Sequence, residues 1–494
     1  MKSEKKTILR IISIAAVLAL IVFVAACQSS GKENNSNDNV AADGKDESKN
    51  ENLAAKNPYY NGDALGEYNF NGDEFKIRVF QHYDGTPREL PMVEEDTGEP
   101  FNDAIWYRNL AIEDRFNVKI TMSLIPDEFT SIRNVIKAGD STAFDIFFTR
   151  GPYVFDAWVE GLIIPYDDIP IIDLSKPYWN QSANKTLTLD EVQYAATGDF
   201  NISIYEIAHA ILFNKELFQS LGLESPYALV NEGKWTFDKM AEMMKSAILD
   251  VNGDGMMDKN DRYGYLAHPK EVLPSFWIGA NVLSVGKDEN DMPFLAMGEE
   301  KFISAFMKTY EILWDSGTYY RQDGGSDIPE WAISMFGSGQ SLFMDSTFMV
   351  IRDLRGMEMD FGIIPYPKYN ETQREYVSRI EYHMTYNVPI TNGDLERTGI
   401  MLEALHSYSS KTILPAFYDN SLKMKSARDD DSQEMLDLIF RTLVIDIGDT
   451  TLCHYIRDAF VYNMFKDNIR DIASQTESTE RIINNFLNKI TRRK

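Results

Sequence analysis

Segments rich in β-forming residues alternate with segments of helical periodicity along most of this 494-residue chain. The stretches "FKIRVF" and "VKITMSLI" are typical of strands, and "NDAIWYRNLAIEDRF" between them repeats apolar residues at helical spacing. The alternation continues through "AFDIFFTRG", "KWTFDKMAEMMKSAILD", "FISAFMKTYEILWDSG" and "DFGIIPYPK". This pattern predicts an α/β fold with helices on the faces of its sheets. It directs attention to the turns after strands, because such folds bind ligands there.

The composition is that of a large acidic protein with enough apolar residues for a substantial core. Hydrophobic residues make up 44% of the chain and aromatic residues 12%, which argues against global disorder. The chain is longer than one ordinary domain of about 100–200 residues. With 76 acidic against 49 basic residues, the formal charge is −27. This charge argues against a nucleic-acid partner and favours a neutral or cationic ligand.

The first 26 residues have the features of a secretory signal peptide. Basic residues precede an apolar run from Ile11 to Ala26, which is shorter than the about 20 residues that span a bilayer as a helix. Val24-Ala25-Ala26-Cys27 resembles the lipobox of bacterial lipoproteins, in which the cysteine carries a diacylglycerol and an acyl chain such as palmitate. The resemblance implies that Cys27 is lipidated. The alternative is ordinary cleavage at a small-residue site with a cysteine nearby by chance.

The segment after Cys27 has the composition of a disordered tether. Residues 28–57 contain no aromatic residue and few apolar ones, so they cannot bury enough surface to offset the entropy of ordering. Residues 27–57 are therefore predicted to hold a folded domain, 58–494, close to a membrane. Cys453 is the only other cysteine, so no disulfide within the mature chain is expected.

The segment "ILFNKELFQSLGLESP…KWTFDKMAEMMK" resembles the signature of family 1 extracellular solute-binding proteins, the sugar-binding lipoproteins of ABC importers. In that family a strand ending in Tyr- or Phe-Asn-Lys is followed by Leu-Gly-Leu, a proline and Thr-Trp. Phe213-Asn214-Lys215, Leu221-Gly222-Leu223 and Pro226 match, whereas Trp235-Thr236 has the reverse order and follows an insertion. "RFNVKI", "EGLIIPYDD", "FGSGQSLFM" and "DFGIIPYPK" recur in the family's order, and the long clostridial-type members are similar over most of the chain.

The resemblance implies a two-lobed fold of the type II periplasmic-binding-protein class, with hinge crossovers and a ligand cleft between the lobes. Lobe 1 would cover about 67–206 and a segment after 387, and lobe 2 about 210–380, with C-terminal helices completing the lobes. The crossovers would fall near 206–210 and 381–388. Ligand binding would shift the population of molecules from an open toward a closed arrangement of the two lobes.

Sugar pockets need aromatic platforms and polar partners for hydroxyl groups. At the positions of the family's cleft, the resemblance implies these ligand-binding residues: Thr149, Arg150, Tyr153, Tyr205, Glu206, Asp345, Thr347, Phe348, Tyr382 and His383, with His209 and Glu381 beside them. Each can instead be a packed interior residue, which is the expectation for Trp277 and Trp331. Many family members have an aromatic residue where this chain has Cys453-His454, which leaves the sugar class open.

The stretch "DVNGDGMMDKND" over 250–261 has the spacing of an EF-hand calcium loop, with Gly255 at its sharp turn. The predicted ligands are Asp250, Asn252, Asp254, Met256 through its carbonyl, Asp258 and Asp261. Asp261 replaces the usual Glu at the last position, as in dockerin-type loops, and "RYGYL" after it is not convincingly helical. The prediction is a loop insertion in the second lobe that a structural Ca²⁺ pins, and the alternative is a solvated Asp-rich turn.

The resemblance and the lipobox together imply a monomeric, non-enzymatic binding protein that a lipid anchors to the extracellular face of a Gram-positive-type cell membrane. The resemblance further implies that it captures a carbohydrate, an oligosaccharide by preference, and delivers it to ABC permease subunits driven by an ATPase. Two other classes stay open. One is the ligand-binding subunit of a surface sensor or an adhesin, and the other is a secreted glycoside hydrolase whose carboxylate pair lies among the many acidic residues.

Overall fold

The computed structural model describes residues 65–81, 86–127, 129–320, 330–354, 357–422 and 430–491, all within one compact unit, Asn52–Lys494. The predicted signal peptide, Cys27 and the tether lie outside the described residues. Within the described ranges, no helix combines the length and the apolar character that crossing a bilayer requires.

Short strands are distributed along the whole described chain, as the alternating pattern predicts. They are β1 Asp73–Phe80, β2 Val118–Ile125, β3 Ile146–Arg150, β4 Thr188–Leu189, β5 Val192–Gln193, β6 His209–Asn214, β7 Tyr263–Leu266, β8 Val285–Lys287, β9 Pro293–Leu295, β10 Tyr319–Tyr320, β11 Ser341–Thr347, β12 Phe361–Ile364, β13 Ser378–Arg379, β14 Met384–Asn387 and β15 Leu443–Val444.

Helices separate most of these strands. They are α1 Pro100–Phe116, α2 Thr130–Lys137, α3 Gly151–Val159, α4 Gln181–Leu187, α5 Ser203–Glu206, α6 Lys215–Leu221, α7 Pro226–Asn231, α8 Phe237–Ala247, α9 Pro269–Gly279, α10 Glu300–Tyr310, α11 Glu330–Gly337, α12 Phe348–Asp353, α13 Leu395–Leu422, α14 Asp430–Arg441, α15 Tyr462–Lys466 and α16 Ile472–Thr491. A 3₁₀ turn covers Tyr166–Asp168, and π-helical turns cover Glu311–Asp315 after α10 and His454–Val461 before α15.

Two mixed sheets organise the longer strands. The first has the order β14-β3-β1-β2, with β1 parallel to β2 and β3, and β14 antiparallel to β3. The second has the order β10-β7-β11-β6-β12, with β7 parallel to β10 and β11, and β6 antiparallel to β11 and β12. The strands of the first sheet therefore come from residues 73–150 and 384–387, and the strands of the second sheet come from residues 209–364.

The signature segment forms a strand-to-helix junction for a local reason. Asn214 ends β6, and its side chain accepts a hydrogen bond from the Leu217 amide at 2.9 Å, which caps α6. Gly222 then ends the helix with φ of +63°, a conformation that favours glycine. The Phe-Asn-Lys and Leu-Gly-Leu patterns thus mark the start and the end of one short helix.

The chain passes between the two sheets through two segments that lie side by side. The first crossover, residues 203–209, contains α5 and leads into β6, and the second crossover, residues 380–383, connects β13 to β14. Ala208 and Ile380 form an antiparallel bridge, and the Glu381 amide donates to the Ile207 carbonyl at 3.4 Å. Because hydrogen bonds join the crossovers, rotation of one sheet relative to the other must bend both segments together.

Candidate functional site

A cavity of about 410 Å³ opens beside the paired crossovers. Its walls come from the loop after β1, from helix α1, from both crossovers and from the start of α12, so elements near both sheets border it. The lining residues are Thr86, Pro87, Arg88, Glu89, Leu90, Phe101, Ile202, Ser203, Glu206, Ile207, Met349, Tyr382 and Met384. Apolar walls with a few converging polar groups, at this volume, are typical of sites for small molecules.

A second cavity, of about 590 Å³, is larger but touches neither crossover. It lies between helix α7, residues 374–376 and helix α14. No strand of the first sheet contributes to its lining. Because the larger cavity touches neither crossover nor the first sheet, whereas the smaller one is lined by both crossovers and by Met384 of β14, the smaller cavity is the candidate site.

Glu89 is a buried carboxyl group in the wall of the candidate cavity, and its side chain is 4% exposed. Burial raises its pKa well above the usual range, the hydrogen bond from Ser203 opposes the shift, and the neighbouring Glu206 carboxylate adds to it. One oxygen, Oε1, has no hydrogen-bond partner among the described residues. An unpartnered buried oxygen is costly, so this atom is suited to bind a polar group of a ligand.

Arg88 and Tyr382 form a second polar group in the cavity. An Arg88 guanidinium nitrogen, Nη1, lies 3.5 Å from the Tyr382 hydroxyl, and the guanidinium lies 5.7 Å from the centre of the Phe80 ring. Burial and then the Glu381 carboxylate raise the pKa of Tyr382 to about 12, so its hydroxyl stays protonated and can donate or accept a hydrogen bond. Arg88 Nε has no hydrogen-bond partner among the described residues.

The loop that carries Arg88 and Glu89 is fixed at its end by Arg108 of α1. Arg108 is 1% exposed, and its guanidinium donates to the Pro91 carbonyl and to Ser409 Oγ, the latter at 3.1 Å. The Asn109 side-chain amide donates to the same Pro91 carbonyl at 3.1 Å. These bonds hold the cavity loop against helices α1 and α13, and thereby position the two polar side chains.

A network of buried charges lies behind the crossovers. His209 Nδ1 is 2.9 Å from Asp345 Oδ1, which also accepts a hydrogen bond from the Tyr366 hydroxyl. On the other side of the ring, Arg379 Nη1 lies 3.2 Å from His209 Nε2, and Arg379 binds Asp449 through two hydrogen bonds of 2.6 and 2.9 Å. The network ties the second sheet to both crossovers and to the loop after β15.

His209, Glu271 and Glu381 in this network have the side-chain types of a metal site, and their donor atoms lie within 4.8 Å of one another. However, Arg379 Nη1 is 2.8 Å from Glu271 Oε2 and 3.2 Å from His209 Nε2. The guanidinium therefore already occupies the position between these donors with a fixed positive charge. We interpret the group as a structural ion cluster.

The charge on His209 makes stability depend on pH. Burial, the largest influence, lowers its pKa, and so does the Arg379 charge, but the charge and hydrogen bond of Asp345 together with the hydrogen bond of Glu381 outweigh both and raise the pKa to about 9. Glu271 Oε2 also faces the ring, at 3.9 Å from Nε2. The unfolded value is about 6.5, so the stabilisation is complete below about pH 6.5 and is lost as the pH rises through about 9. We expect the free energy of unfolding in urea to fall over this range, and to fall less steeply in His209→Gln.

A matched control for this measurement is His406→Gln. Burial lowers the pKa of His406 to about 3, so this ring is neutral throughout the range and its loss should shift stability without changing the slope. An identical slope in the parent and in His209→Gln would contradict a charged His209.

Two of the predicted ligand-binding residues, Glu206 and Tyr382, line the cavity. Tyr205 points away from it, because its hydroxyl donates to Asp199 Oδ1 at 2.9 Å within the core. Phe348 is 3% exposed and packs on Phe440 at 4.7 Å, whereas the next residue, Met349, reaches the cavity.

The other predicted ligand-binding residues are not among those that line the cavity. Thr149 is fully buried in β3, and the Arg150 guanidinium at the end of that strand lies 5.8 Å from the Tyr153 ring centre. Asp345 and Thr347 are buried at the carboxyl end of β11. His383 is fully buried, neither ring nitrogen has a hydrogen-bond partner among the described residues, and burial lowers its pKa to about 4.

The two tryptophans expected to pack do so. Trp277 is 1% exposed and its indole nitrogen donates to Asp446 at 2.8 Å, while Trp331 packs on Tyr320 at 5.5 Å. The sequence pattern did not single out Arg88, Glu89, Phe101 or Met349, which the structure brings to the cavity. The signal available for Arg88 and Glu89 was their place in the loop after the first strand, where α/β folds bind ligands.

The predicted calcium loop is a closed turn between α8 and β7. The Asp250 carboxylate accepts the Gly253 and Gly255 amides at 2.7 and 2.8 Å. The Asp261 carboxylate is fully buried and accepts the Val251 and Asp258 amides at 2.9 and 2.7 Å, which closes the loop. Gly255 has φ of +80°, as the sharp turn requires.

The backbone amides orient these carboxylates inward, and the donor set consists of oxygen atoms. No lysine or arginine among the described residues forms an ion pair with any of the loop's four aspartates. A hard divalent cation fits such a set of uncompensated oxygen donors.

No protein-family model matches this chain, and no curated protein matches it. Solved structures do. An ABC substrate-binding protein from Listeria monocytogenes in complex with cycloalternan is 14% identical with a TM-score of 0.54, and the match covers 84% of this chain and 99% of that one. The cyclic α-maltosyl-1,6-maltose-binding protein from Arthrobacter globiformis is 14% identical with a TM-score of 0.57, covering 84% and 98%. The sugar-binding protein MalE from Xanthomonas citri is 11% identical with a TM-score of 0.55, covering 85% and 98%.

All three of these structural neighbours are described as binding proteins: one as an ABC substrate-binding protein, one as binding cyclic α-maltosyl-1,6-maltose and one as sugar-binding. Each is matched over almost its entire length, so the likeness extends to both sheets and not to one lobe alone. It confirms the predicted two-lobed α/β fold of the type II class. At sequence identities of 11–14%, the similarity to these structures shows the fold alone.

Proposed function

We propose that this protein captures a carbohydrate in the cavity at the crossovers, by hinge closure, and delivers it to the permease subunits of an ABC importer. The observation that carries the proposal is the cavity itself, which lies where both crossovers meet and presents partly unpartnered polar groups between apolar walls. The fold of known sugar-binding proteins supports the same function. In this proposal the lipid on Cys27 anchors the protein to the extracellular face of a cell membrane.

The chemistry of the cavity suits a sugar. The Glu89 carboxyl group and the Tyr382 hydroxyl can each donate or accept a hydrogen bond, as sugar hydroxyl groups also can. The Arg88 guanidinium offers hydrogen-bond donors only, so it would bind oxygen acceptors of the ligand. Phe101, Leu90 and Met349 provide apolar surface for the C–H faces of a ring.

The proposal is tested by a thermal-unfolding screen of the full chain against a saccharide library, with Cys27→Ser to prevent lipidation. A saccharide at 100 times its dissociation constant should stabilise the folded chain by about 2.7 kcal/mol, which is a readily measured shift. The recovered sugar should be chemically unchanged. A consumed sugar would favour the glycoside hydrolase, and no response to any saccharide would contradict carbohydrate capture and favour a sensor or adhesin with another ligand.

We further propose that the loop over 250–261 binds Ca²⁺ and that the ion stabilises this part of the second lobe. Asp250, Asn252, Asp254, Asp258 and Asp261 would supply side-chain oxygens and Met256 its carbonyl. Extracellular modules bind Ca²⁺ with dissociation constants of about 10⁻⁴–10⁻³ M, so the shorter Asp at the last position is compatible with occupancy. Because the folded loop alone presents the site, binding stabilises the folded state.

We expect Ca²⁺ to raise the melting temperature of the chelator-treated chain and Asp254→Ala to abolish the response. The matched control is Asp288→Ala, since Asp288 also accepts backbone amides, those of Asn290 and Met292 at 2.8 and 2.9 Å, in a turn without the calcium spacing. Asp288→Ala should respond as the parent does. A melting temperature that neither chelator nor Ca²⁺ changes would contradict the calcium site.

A further inference from the structure

Three metal-binding groups of different chemistry converge at the start of the π-helical turn His454–Val461. Cys453 Sγ, a ring nitrogen of His454 and a carboxylate oxygen of Asp458 all lie within 4.8 Å of one another. The wide turn causes the convergence, because the Asp458 amide donates to the Cys453 carbonyl five residues earlier, at 2.8 Å. Single π-helical turns inside helices are frequently found at functional sites.

A second layer of contacts orients the Asp458 carboxylate. Arg457 Nε donates to Asp458 Oδ1 at 2.9 Å, and Lys270 Nζ lies 3.7 Å from the same oxygen. The other oxygen, Oδ2, lies 3.2 Å from His454 Nδ1. The cationic groups thus hold one oxygen and leave the other directed into the cluster, which is how outer contacts commonly fix metal ligands.

The three groups differ in their exposure to solvent. The Cys453 side chain is 5% exposed, whereas the side chains of His454 and Asp458 are 50% and 32% exposed. A cation that binds sulfur strongly displaces the thiol proton on binding.

We propose that Cys453, His454 and Asp458 bind a divalent cation of the zinc class, with the fourth position open. The combination of thiolate, imidazole and carboxylate matches Zn²⁺, whereas a hard cation such as Ca²⁺ takes oxygen donors. Zinc–ligand bonds of about 2.0–2.3 Å place ligand atoms about 3.2–3.8 Å apart. The His454–Asp458 pair already has this spacing, and movement of the exposed His454 side chain brings it closer to the thiol.

The three residues belong neither to the lining of the proposed carbohydrate cavity nor to the calcium loop, although Arg457 beside them also lies 3.7 Å from Glu381 of the second crossover. Cys453 does not line the cavity. Gly151, the residue after β3, packs against the backbone of Thr450 and Thr451, which shortly precede Cys453 in the sequence. The ion would therefore lie beside the junction between the first sheet and the segment after β15, and its loss need not abolish ligand binding.

The test uses the full chain with Cys27→Ser in detergent, so that Cys453 is the single thiol. After chelator treatment, Co²⁺ is titrated as a spectroscopic substitute for Zn²⁺. We expect one equivalent of Co²⁺ to produce thiolate-to-cobalt charge-transfer absorption that one equivalent of Zn²⁺ removes. Cys453→Ser should lose this absorption, and His454→Asn and Asp458→Asn should each weaken Co²⁺ binding at least about tenfold.

His268→Asn is the matched control, because His268 lies nearby, stacked on Tyr462 at 6.0 Å, but belongs to no part of the cluster. It should bind Co²⁺ as the parent does. The absence of thiolate absorption in the parent would overturn the proposal, and so would unchanged affinity in both His454→Asn and Asp458→Asn, which would indicate a thiol acting alone. His454 is half exposed, so His454→Asn is expected to fold and keeps the test decisive even if Cys453→Ser is unstable.

Discussion

Arg379→Met is expected to lower the free energy of unfolding by about 3–5 kcal/mol, the usual cost of removing one partner of a buried ion pair. Arg379 is 1% exposed and binds Asp449, which is fully buried, through two hydrogen bonds. It also lies 2.8 Å from Glu271 Oε2. Methionine would remove this cation from both carboxylates and leave only more distant ones, Arg457 Nη1 at 3.5 Å from Asp449 and His209 Nε2 at 3.9 Å from Glu271. Urea unfolding at neutral pH measures the loss.

Arg470→Met is the matched control for this prediction. Arg470 forms a similar two-point pair with Asp315, at 2.6 and 3.0 Å, but the two side chains are 31% and 50% exposed. Exposed pairs contribute about 0–1 kcal/mol, so this variant should be almost as stable as the parent. Equal losses of unfolding free energy in Arg379→Met and Arg470→Met would contradict the role assigned to burial.

The second large effect is expected at Glu89. Once a saccharide ligand is identified, Glu89→Ala should weaken its binding by about 1–3 kcal/mol, or roughly 5- to 150-fold, because a ligand hydroxyl would lose its buried partner. Glu89→Gln keeps the size and one oxygen of the side chain, so it should lose less affinity for the saccharide than Glu89→Ala. Titration calorimetry of each variant against the parent measures the effect.

Glu434→Ala is the control, since Glu434 lines the larger cavity beside α14 and not the candidate site. Its affinity should equal that of the parent. If Glu434→Ala weakens binding and Glu89→Ala does not, the ligand occupies the other cavity.

The order of elements could be predicted from the sequence because it depends on local patterns. The β6–α6 junction follows from the Asn214 cap and Gly222, and both are visible in the sequence. The alternation of strand and helix patterns likewise predicted an α/β fold, which the structural neighbours confirm. The lobe boundaries remain predictions, although β14 at Met384–Asn387 already belongs to the first sheet.

The direction of individual side chains at the crossovers could not be predicted in this way. Tyr205 and Glu206 are neighbours in a four-residue helix, yet Tyr205 points into the core and Glu206 into the cavity, and so short a helix has no periodicity to read. Asp345 has the chemistry of a sugar ligand, but the central position of β11 buries it against His209. Glu89 lies in a loop, where only tertiary contacts decide what is buried.

The most direct test of the central claim is a crystal structure of the chain with a saccharide selected by the thermal screen. The account predicts ligand density in the cavity between Glu89, Arg88 and Tyr382, with the sugar intact and the two sheets closed around it. Density in the larger cavity beside α14, or a cleaved sugar at the crossovers, would contradict the account.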